Sequence, residues 1–229
     1  MCARNRIALY GGTFDPVHLG HLEVAQRVCE LFEIDKLLFV PAQVAPHKVG
    51  RPVSRSMHRH AMLVLATQGD KNLLVSTFEL DKPDRSFTVD TLAHFQAIFE
   101  NQADLFFIMG ADSWCEISTW RDWERLLTIA NHVVVTRPGY DISAPNEHVL
   151  ERMIDLRSAT DLKRLEPLGR TGNIFITDIV KMDVSATQIR QSASDGRFEE
   201  IVKLVPKPVA EYIEKYGIYR KSNEAKLHS

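Results

Sequence analysis

Several features that mark particular classes of protein are scarce in this 229-residue sequence. It has three cysteines, an odd number and too few for a disulfide framework, which favours a reducing compartment. No run approaches the roughly 18 apolar residues that a membrane-spanning helix needs, and the N-terminus lacks the apolar stretch of a signal peptide. Neither sign of charge is in excess, with 28 Lys and Arg against 30 Asp and Glu and a net charge of −2. These absences argue against secreted, membrane-spanning and nucleic-acid-coating proteins, and they predict a cytoplasmic protein without a nucleic-acid or membrane partner.

Short apolar segments alternate with amphipathic segments along most of the chain. The first apolar segment, Ile7 to Tyr10, is followed by two glycines, as expected of a buried strand that ends in a tight turn. Between Leu22 and Phe32 apolar residues recur at three- and four-residue steps, which predicts a helix with one apolar face. The alternation continues and predicts an α/β fold with a Rossmann-like, doubly wound, mostly parallel sheet that carries helices on both faces.

The length and composition favour a single domain over residues 1–220. A turn-rich segment begins at Arg137, and we interpret residues 140–172 as a helical insertion before a last strand near Ile174. Helices over residues 184–219 are predicted to form a small C-terminal part. The polar residues 221–229 are predicted to be a frayed tail.

The connection after the first strand carries the strongest pattern in the sequence. Ligands of open α/β sheets bind beyond the carboxyl ends of the strands, and the connection from Gly11 to His21 reads G-G-T-F-D-P-V-H-L-G-H. Its glycines allow a sharp turn and a close approach of the backbone to a ligand. A helix is predicted to begin near His18, which places His18 and His21 on one side of its first turn, beside its free N–H groups. Two imidazoles at a helix N-terminus indicate a site for phosphate oxygens.

The histidine pair has two other possible interpretations. One is a helix cap beside a buried, hydrogen-bonded ring, which would be the preferred interpretation of a single histidine. The other is a zinc site, but no cysteine or acidic residue lies at helical ligand spacing, and we predict no protein-bound metal. The sequence also lacks the dinucleotide fingerprint G-x-G-x-x-G and the phosphate loop G-x-x-x-x-G-K-[ST].

The H-x-G-H segment resembles the signature of the nucleotidyltransferase superfamily, which includes adenylyltransferases and class I aminoacyl-tRNA synthetases. The longer string from Gly11 to His21 resembles that of bacterial nicotinate mononucleotide adenylyltransferases, and matches extend from Arg6 to Tyr219. Residues 140–172 match poorly. The resemblance implies that ATP and nicotinate mononucleotide react to give deamido-NAD and pyrophosphate, a step of NAD biosynthesis.

The resemblance covers two further phosphate-binding motifs. Lys48 lies in a Pro-His-Lys string like the second motif of the family, and an ammonium group suits phosphates as a point charge. The segment V-S-A-T-Q-I-R, from Val184 to Arg190, resembles the family pattern I-S-[SA]-T-x-I-R. Ser185 also has the spacing of a capping box with Gln188, and Thr187 and Arg190 share a helix face. The catalytic residues implied are His18, His21, Lys48 and Arg190, and the ATP-binding residues are Gly11, Gly12, Thr13, Phe14, Ser185 and Thr187.

Other motifs bear on the mononucleotide. The segment S-F-T-V-D-T-L, from Ser86 to Leu92, resembles the family's S-[YF]-T-x-D-T-L, and a helix N-terminus there would bind the nicotinate carboxylate. Trp120 matches a tryptophan that stacks on the pyridine ring in the family. The substrate-binding residues implied by the resemblance are Ser86, Phe87, Thr88, Asp112, Trp120 and Arg137. One Mg²⁺ is expected, held mainly by the phosphates of ATP.

Three alternatives stay open at the level of the sequence. Adenylyltransferases with the same ATP site use nicotinamide mononucleotide or phosphopantetheine, although the phosphopantetheine enzymes resemble a shorter chain. A non-catalytic nucleotide sensor on the same fold is the alternative from a different class, but a sensor is expected to have lost residues such as His18 or Arg190. The sequence does not predict the oligomeric state.

Overall fold

The computed structural model describes residues 4–43, 53–82, 86–99, 102–136, 142–157, 171–180 and 184–220. Strands and helices alternate through most of them. The strands are β1 (Asn5–Gly12), β2 (Lys36–Pro41), β3 (Leu73–Val75), β4 (Ala103–Gly110), β5 (Asn131–Val135), β6 (Met153–Asp155) and β7 (Ile174–Thr177). The helices are α1 (Leu19–Phe32), α2 (Ser56–Thr67), α3 (Thr88–Phe99), α4 (Ala111–Cys115), α5 (Trp123–Ile129), α6 (Glu147–Leu150), α7 (Ala186–Ser194), α8 (Phe198–Ile201) and α9 (Lys207–Lys215).

The strands form one parallel sheet in the order β3-β2-β1-β4-β5-β7-β6. The order of the strands reverses between β1 and β4, which is where ligands bind in sheets of this kind. Tyr10 lies opposite Ile108, so Gly12 and Gly110, each two residues further on, end their strands at the same level. The topology therefore places a crevice beyond these two glycines.

The sheet is covered on both faces, and the side chains of β1 alternate between the two layers. Ala8 and Tyr10 pack in a buried cluster with α1, α2, α7 and α9. Ile7 and Leu9 pack in a second cluster with α3 and α5. Because a strand points successive side chains to opposite faces, an unbroken apolar segment is what a strand buried on both faces requires. The predicted doubly wound α/β fold is confirmed.

The segment after β5 differs in part from the sequence prediction. We predicted a helical insertion over 140–172, but its described residues form the short helix α6 and then the strand β6. Met153 pairs with Ile174, which adds β6 to the edge of the sheet beyond β7. Only three residues long and half exposed, β6 shows no clear apolar pattern in the sequence. Residues 158–170 and the predicted tail 221–229 lie outside the described residues.

The described C-terminal part consists of α7, α8 and α9, where the sequence predicted helices. Val209 and Ile213 of α9 are buried in the same cluster as Ile189 of α7. In the part of the chain that the structure describes, no helix is long and apolar enough to cross a membrane.

Candidate active site

Gly11 and Gly12 are the last two residues of β1 and pair with Val40 and Pro41 of β2, so the strand continues through the glycines that the sequence predicted to form a tight turn. A methyl group added to Gly12 would lie 2.8 Å from the ring of Phe14, and one added to Gly11 would lie 3.0 Å from the ring of Phe107. Phe14 itself has a φ of 50°, a left-handed conformation that is uncommon for a bulky residue. Aromatic rings therefore occupy the space that side chains at positions 11 and 12 would need, which explains glycine at both positions.

His18 and His21 stack at the N-terminus of α1. Their ring centroids are 3.6 Å apart, and the ring planes are inclined by 24°. The backbone N–H of His18 donates to Nδ1 of His21 at 3.2 Å. Since Nδ1 of His21 accepts this bond, the neutral ring carries its proton on Nε2. Phe14 packs edge-on against His21 with ring centroids 5.0 Å apart and so fixes its orientation.

The electrostatics of this helix terminus favour an anionic ligand. His18 is only 7% exposed, and burial lowers its pKa to about 4, so the imidazole is neutral near pH 7. Its Nδ1 is buried and has no hydrogen-bond partner within the described residues. The first turn of α1 holds no acidic side chain, and the N-terminus of the helix carries partial positive charge, although the N–H groups of Leu19 and His21 donate to the carbonyl oxygens of Leu204 and His18. The site presents hydrogen-bonding groups at this terminus without a carboxylate in the first helical turn to repel phosphates.

Arg190 reaches the same connection from α7. Its Nη1 donates to the carbonyl oxygen of Asp15 at 2.7 Å, and its Nη2 donates to Oγ1 of Thr187 at 3.0 Å. Ser185 caps α7 by accepting a bond from the N–H of Gln188 at 3.2 Å. The predicted shared face of Thr187 and Arg190 is confirmed by their contact, and so is the cap. The N-terminus of α7 therefore lies beside the connection that carries the histidines, whereas Lys48 lies outside the described residues.

The residues predicted for the mononucleotide lie at the N-terminus of α3 and in the segment after β4. The guanidinium of Arg121 lies 4.6 Å from the ring centroid of Phe87, and it pairs with Asp90 at 3.8 Å. Phe87 and Trp120 are partly buried against the same apolar cluster. These contacts bring the two predicted segments together.

The remaining residues predicted for the mononucleotide occupy positions around these segments. The hydroxyl of Ser86 is buried and has no hydrogen-bond partner among the described residues. Thr88 is the first residue of α3 and is partly buried. Asp112 is exposed in the first turn of α4, directly after β4. Arg137 lies outside the described residues.

Several residues that shape the site are not among those predicted from the sequence. Arg59 is buried on α2 and donates to the carbonyl oxygens of three loop residues, among them Thr13. Asp15 is also buried, and its carboxylate accepts a bond from the hydroxyl of Tyr219 at 2.7 Å. One signal for Arg59 was available, because it falls three and four residues before the buried Met62 and Leu63, within the apolar stripe of its helix.

Glu79 was missed as well. It follows β3, and its carboxylate accepts a bond from the hydroxyl of Thr91 at 2.7 Å. Burial raises the pKa of Glu79, while the Thr91 hydrogen bond and the charge of Lys82 act in the opposite direction. This contact ties the segment after β3 to the first turn of α3, where the mononucleotide is predicted to bind.

Comparison with known proteins identifies the class of protein that this fold and site define. A family model described as cytidylyltransferase-like matches residues 9–192. The chain belongs to this family and, within it, to the nicotinate-nucleotide adenylyltransferases. It is 38% identical over 220 residues to a probable nicotinate-nucleotide adenylyltransferase of Thermoanaerobacter sp. (strain X514), with 96% of each chain covered. A protein of the same description from Thermus thermophilus is 38% identical over 215 residues, which cover 94% of this chain and 100% of that one.

Solved structures share the fold at lower sequence identity. Plasmodium falciparum nicotinic acid mononucleotide adenylyltransferase complexed with NaAD superposes with a TM-score of 0.70 at 19% identity. The match covers 94% of this chain and 97% of that one. The same enzyme complexed with APC gives a TM-score of 0.69 at 20% identity, over 95% and 98% of the two chains. The likeness extends over nearly the whole fold.

The donor set of the site suits phosphate more than a bare metal ion. Imidazoles, a guanidinium and backbone N–H groups donate hydrogen bonds to anions, whereas Mg²⁺ prefers oxygen ligands. Over the described ranges, no three His, Cys, Asp or Glu side chains are grouped closely enough to hold a metal ion. The residues present fit a magnesium ion that is carried by the phosphates of a nucleotide.

Proposed function

We propose that this protein transfers the adenylyl group of ATP to nicotinate mononucleotide, giving deamido-NAD and pyrophosphate in NAD biosynthesis. The observation that carries the proposal is the stacked pair His18 and His21 at the N-terminus of α1, with Arg190 bonded to the same connection. The 38% identity to nicotinate-nucleotide adenylyltransferases over nearly the whole chain supports the choice of substrates.

The proposed reaction needs positioning and charge neutralisation more than a protein nucleophile. An oxygen of the 5′-phosphate of the mononucleotide attacks the α-phosphorus of ATP, and a new P–O bond forms. The bond from the α-phosphorus to the oxygen that bridges to the β-phosphorus breaks, and pyrophosphate leaves with the electron pair. Both reactants are anionic, so the protein holds them in line and stabilises the charge that develops on the leaving group.

The phosphate-binding roles are proposed from the family resemblance, and the placement of His18, His21 and Arg190 around one connection supports them. His18 contacts the bridging oxygen and the α-phosphate, and His21 donates from Nε2 to the phosphates or the nearby ribose. Arg190 and Lys48 hold the β- and γ-phosphates as pyrophosphate departs. The backbone of residues 11–14 is proposed to contact the nucleotide, because it lies at the carboxyl end of β1, beside the point where the strand order reverses. A magnesium ion would be held mainly by the phosphates of ATP and would neutralise part of their charge.

The nicotinate end is proposed to bind at the N-terminus of α3. The buried hydroxyl of Ser86 and the backbone N–H groups around Phe87 and Thr88 are donors suited to a carboxylate. Trp120 stacks on the pyridine ring, and Asp112 and Arg137 contact the rest of the mononucleotide. The small number of cysteines supports the cytoplasm as the compartment.

The test is an assay of pyrophosphate release with ATP and one acceptor at a time. Nicotinate mononucleotide, nicotinamide mononucleotide and phosphopantetheine are compared, and the adenylylated product is identified by mass. We expect the fastest release with nicotinate mononucleotide, together with formation of deamido-NAD. Faster pyrophosphate release with another acceptor would reassign the substrate. Binding of ATP without pyrophosphate release in the presence of any of the three acceptors would indicate a sensor.

A further inference from the structure

Arg59 of α2 lies outside the predicted phosphate and mononucleotide sites, and its guanidinium is enclosed by backbone. The residue is 1% exposed. Its Nε donates to the carbonyl oxygen of Ser54 at 3.1 Å, Nη1 to that of Thr13 at 2.8 Å, and Nη2 to that of Gln43 at 3.2 Å. Thr13 belongs to the connection between β1 and α1, and Gln43 and Ser54 belong to the connection between β2 and α2. One side chain therefore joins two connections that follow neighbouring strands.

We infer that Arg59 is a positioning residue for adenylyl transfer, which holds the connection between β1 and α1 where His18 and the backbone of Thr13 meet the phosphates. The kinetic part of this inference rests on the proposed function. Arg59 acts through the backbone that it binds, because all three of its hydrogen bonds end on carbonyl oxygens and its surface is covered.

The connection is also held by contacts to Asp15, two residues beyond Thr13. The carboxylate of Asp15 accepts bonds from the N–H of Ser54 at 3.2 Å and from the hydroxyl of Tyr219 at 2.7 Å. Its carbonyl oxygen accepts the bond from Arg190 at 2.7 Å. A shift of Thr13 would therefore move the acceptor on which Arg190 rests, and Arg190 is proposed to hold the leaving phosphates.

The chemistry of arginine suits this task. The guanidinium is planar and rigid, with five N–H donors at fixed angles, so it can fix three carbonyl groups relative to one another. Burial lowers the pKa of Arg59, and the negative charge of Asp15 acts against that shift. A buried charge costs desolvation energy that an apolar side chain of similar size would not cost. The contribution of the buried Arg59 guanidinium is accordingly the fixed geometry of the two connections rather than the burial of apolar surface.

The test compares Arg59→Met and Arg59→Lys with the matched control Arg152→Met. Arg152 also donates to carbonyl oxygens of three residues, at Leu127, His148 and Gly172, but it does so beside β6 and β7. For each variant, kcat and KM are measured with ATP and nicotinate mononucleotide. The temperature is chosen from the unfolding curve of that variant, so that the variant is folded during the assay. Hydrogen exchange is measured over residues 11–21.

We expect Arg59→Met to lower kcat about tenfold or more, since small misplacement of reacting groups is costly, with a smaller change in KM. Arg59→Lys keeps the charge but cannot reach three carbonyls in one geometry, so it should recover kcat only in part. Exchange over residues 11–21 should be faster in both Arg59 variants and unchanged in Arg152→Met, which should also keep its kcat.

Two results would overturn the inference. One is a folded Arg59→Lys with the kcat and the exchange of the wild type, and this variant remains informative if Arg59→Met does not fold. The other is an equal fall of kcat in Arg152→Met, which would assign the effect to general destabilisation. Failure of the proposed function would be seen separately, as a wild-type protein that releases no pyrophosphate. The exchange measurement would then still test the positioning role.

Discussion

His18 and His21 touch each other, but they are constrained in different ways. His21 is fixed by its hydrogen bond from the backbone of His18 and by the edge of Phe14, so the position and the tautomer of its ring are set before any ligand binds. His18 is more deeply buried, and the lowered pKa keeps its ring neutral. A neutral, enclosed imidazole acts on phosphates by hydrogen bonding, and such a bond is stronger where water is excluded.

Replacement of His18 by alanine should lower kcat by roughly 10²-fold or more, the scale of losing one donor to a transition state. The measurement is pyrophosphate release by the folded variant at saturating ATP and nicotinate mononucleotide. The exposed His148 on α6 provides the control, and His148→Ala should keep the wild-type rate. Near-normal turnover of a folded His18→Ala would contradict the proposed contact with the reacting phosphates.

Trp120 is proposed to bind only one of the two substrates, and this allows a selective test. Trp120→Ala should raise KM for nicotinate mononucleotide by about tenfold, as expected for a lost aromatic stacking contact, and should change KM for ATP less. Trp123 packs against the same apolar cluster, and Trp123→Ala controls for loss of packing. Equal losses for both substrates would instead indicate that Trp120 has a structural role.

At the scale of the elements, the site is built from the N-termini of α1 and α7. Each helix brings the N–H groups of its first turn and the positive end of its dipole to the same connection, and in α1 the N–H groups of Leu19 and His21 already donate to carbonyl oxygens. In α7, Ser185 caps the helix by accepting a bond from one of these N–H groups. Thr187 and Arg190, further along the same helix, bond to each other through their side chains. Under the proposed function, the same terminus must be stable and also accommodate a triphosphate.

These two demands can be separated at Ser185. Ser185→Ala removes the cap and should lower the free energy of unfolding by about 1 kcal/mol. Ser185→Asp keeps a capping oxygen and should preserve stability, but its negative charge should raise KM for ATP. Urea denaturation and steady-state kinetics on both variants measure the two effects. An unchanged KM in Ser185→Asp would place the triphosphate away from α7.

At the scale of the molecule, the sequence predicted the features that depend on local patterns. The apolar segment at Ile7 was sufficient for β1, although the strand continues through Gly11 and Gly12, which were expected to form its turn. The spacing of His18 and His21 was sufficient to place both on one side of the first turn of α1. Arg59 and Tyr219 could not be placed in the same way, because their partners lie 46 residues away at Thr13 and 204 residues away at Asp15. Such contacts depend on how the elements pack, which the spacing of residues along one segment does not contain.

The net charge of −2 is a property of the whole chain and did not predict a site for anions. The fold brings the groups proposed to bind phosphate close together. Arg190, for example, bonds to Asp15 although 175 residues of sequence separate them. The fold also buries polar groups, among them Arg59, His18 and His132, and their removal from water costs desolvation energy. Two of these are histidines, and they make the stability of the whole molecule depend on pH.

His132 lies on β5, fully enclosed, with its ring centroid 5.9 Å from that of Phe107. Burial lowers its pKa to about 3, and burial lowers the pKa of His18 to about 4, whereas both have ordinary values near 6.5 in the unfolded chain. Above pH 6.5 neither state binds protons at these rings, so their contribution to stability is complete. As the pH falls below 6.5, the unfolded chain takes up protons that the folded protein does not, and stability is lost down to the folded pKa values.

His132→Leu should remove one of these two contributions. Between about pH 5.5 and pH 4.5, the free energy of unfolding of the wild type should fall more steeply with acidification than that of the variant, by about 1.4 kcal/mol per pH unit. Urea denaturation at several pH values gives both slopes, and the comparison of slopes is independent of any change in stability at pH 7. His148→Leu at an exposed position controls for the loss of an imidazole and should retain the wild-type slope. Parallel curves for wild type and His132→Leu would show that His132 does not cause the acid sensitivity.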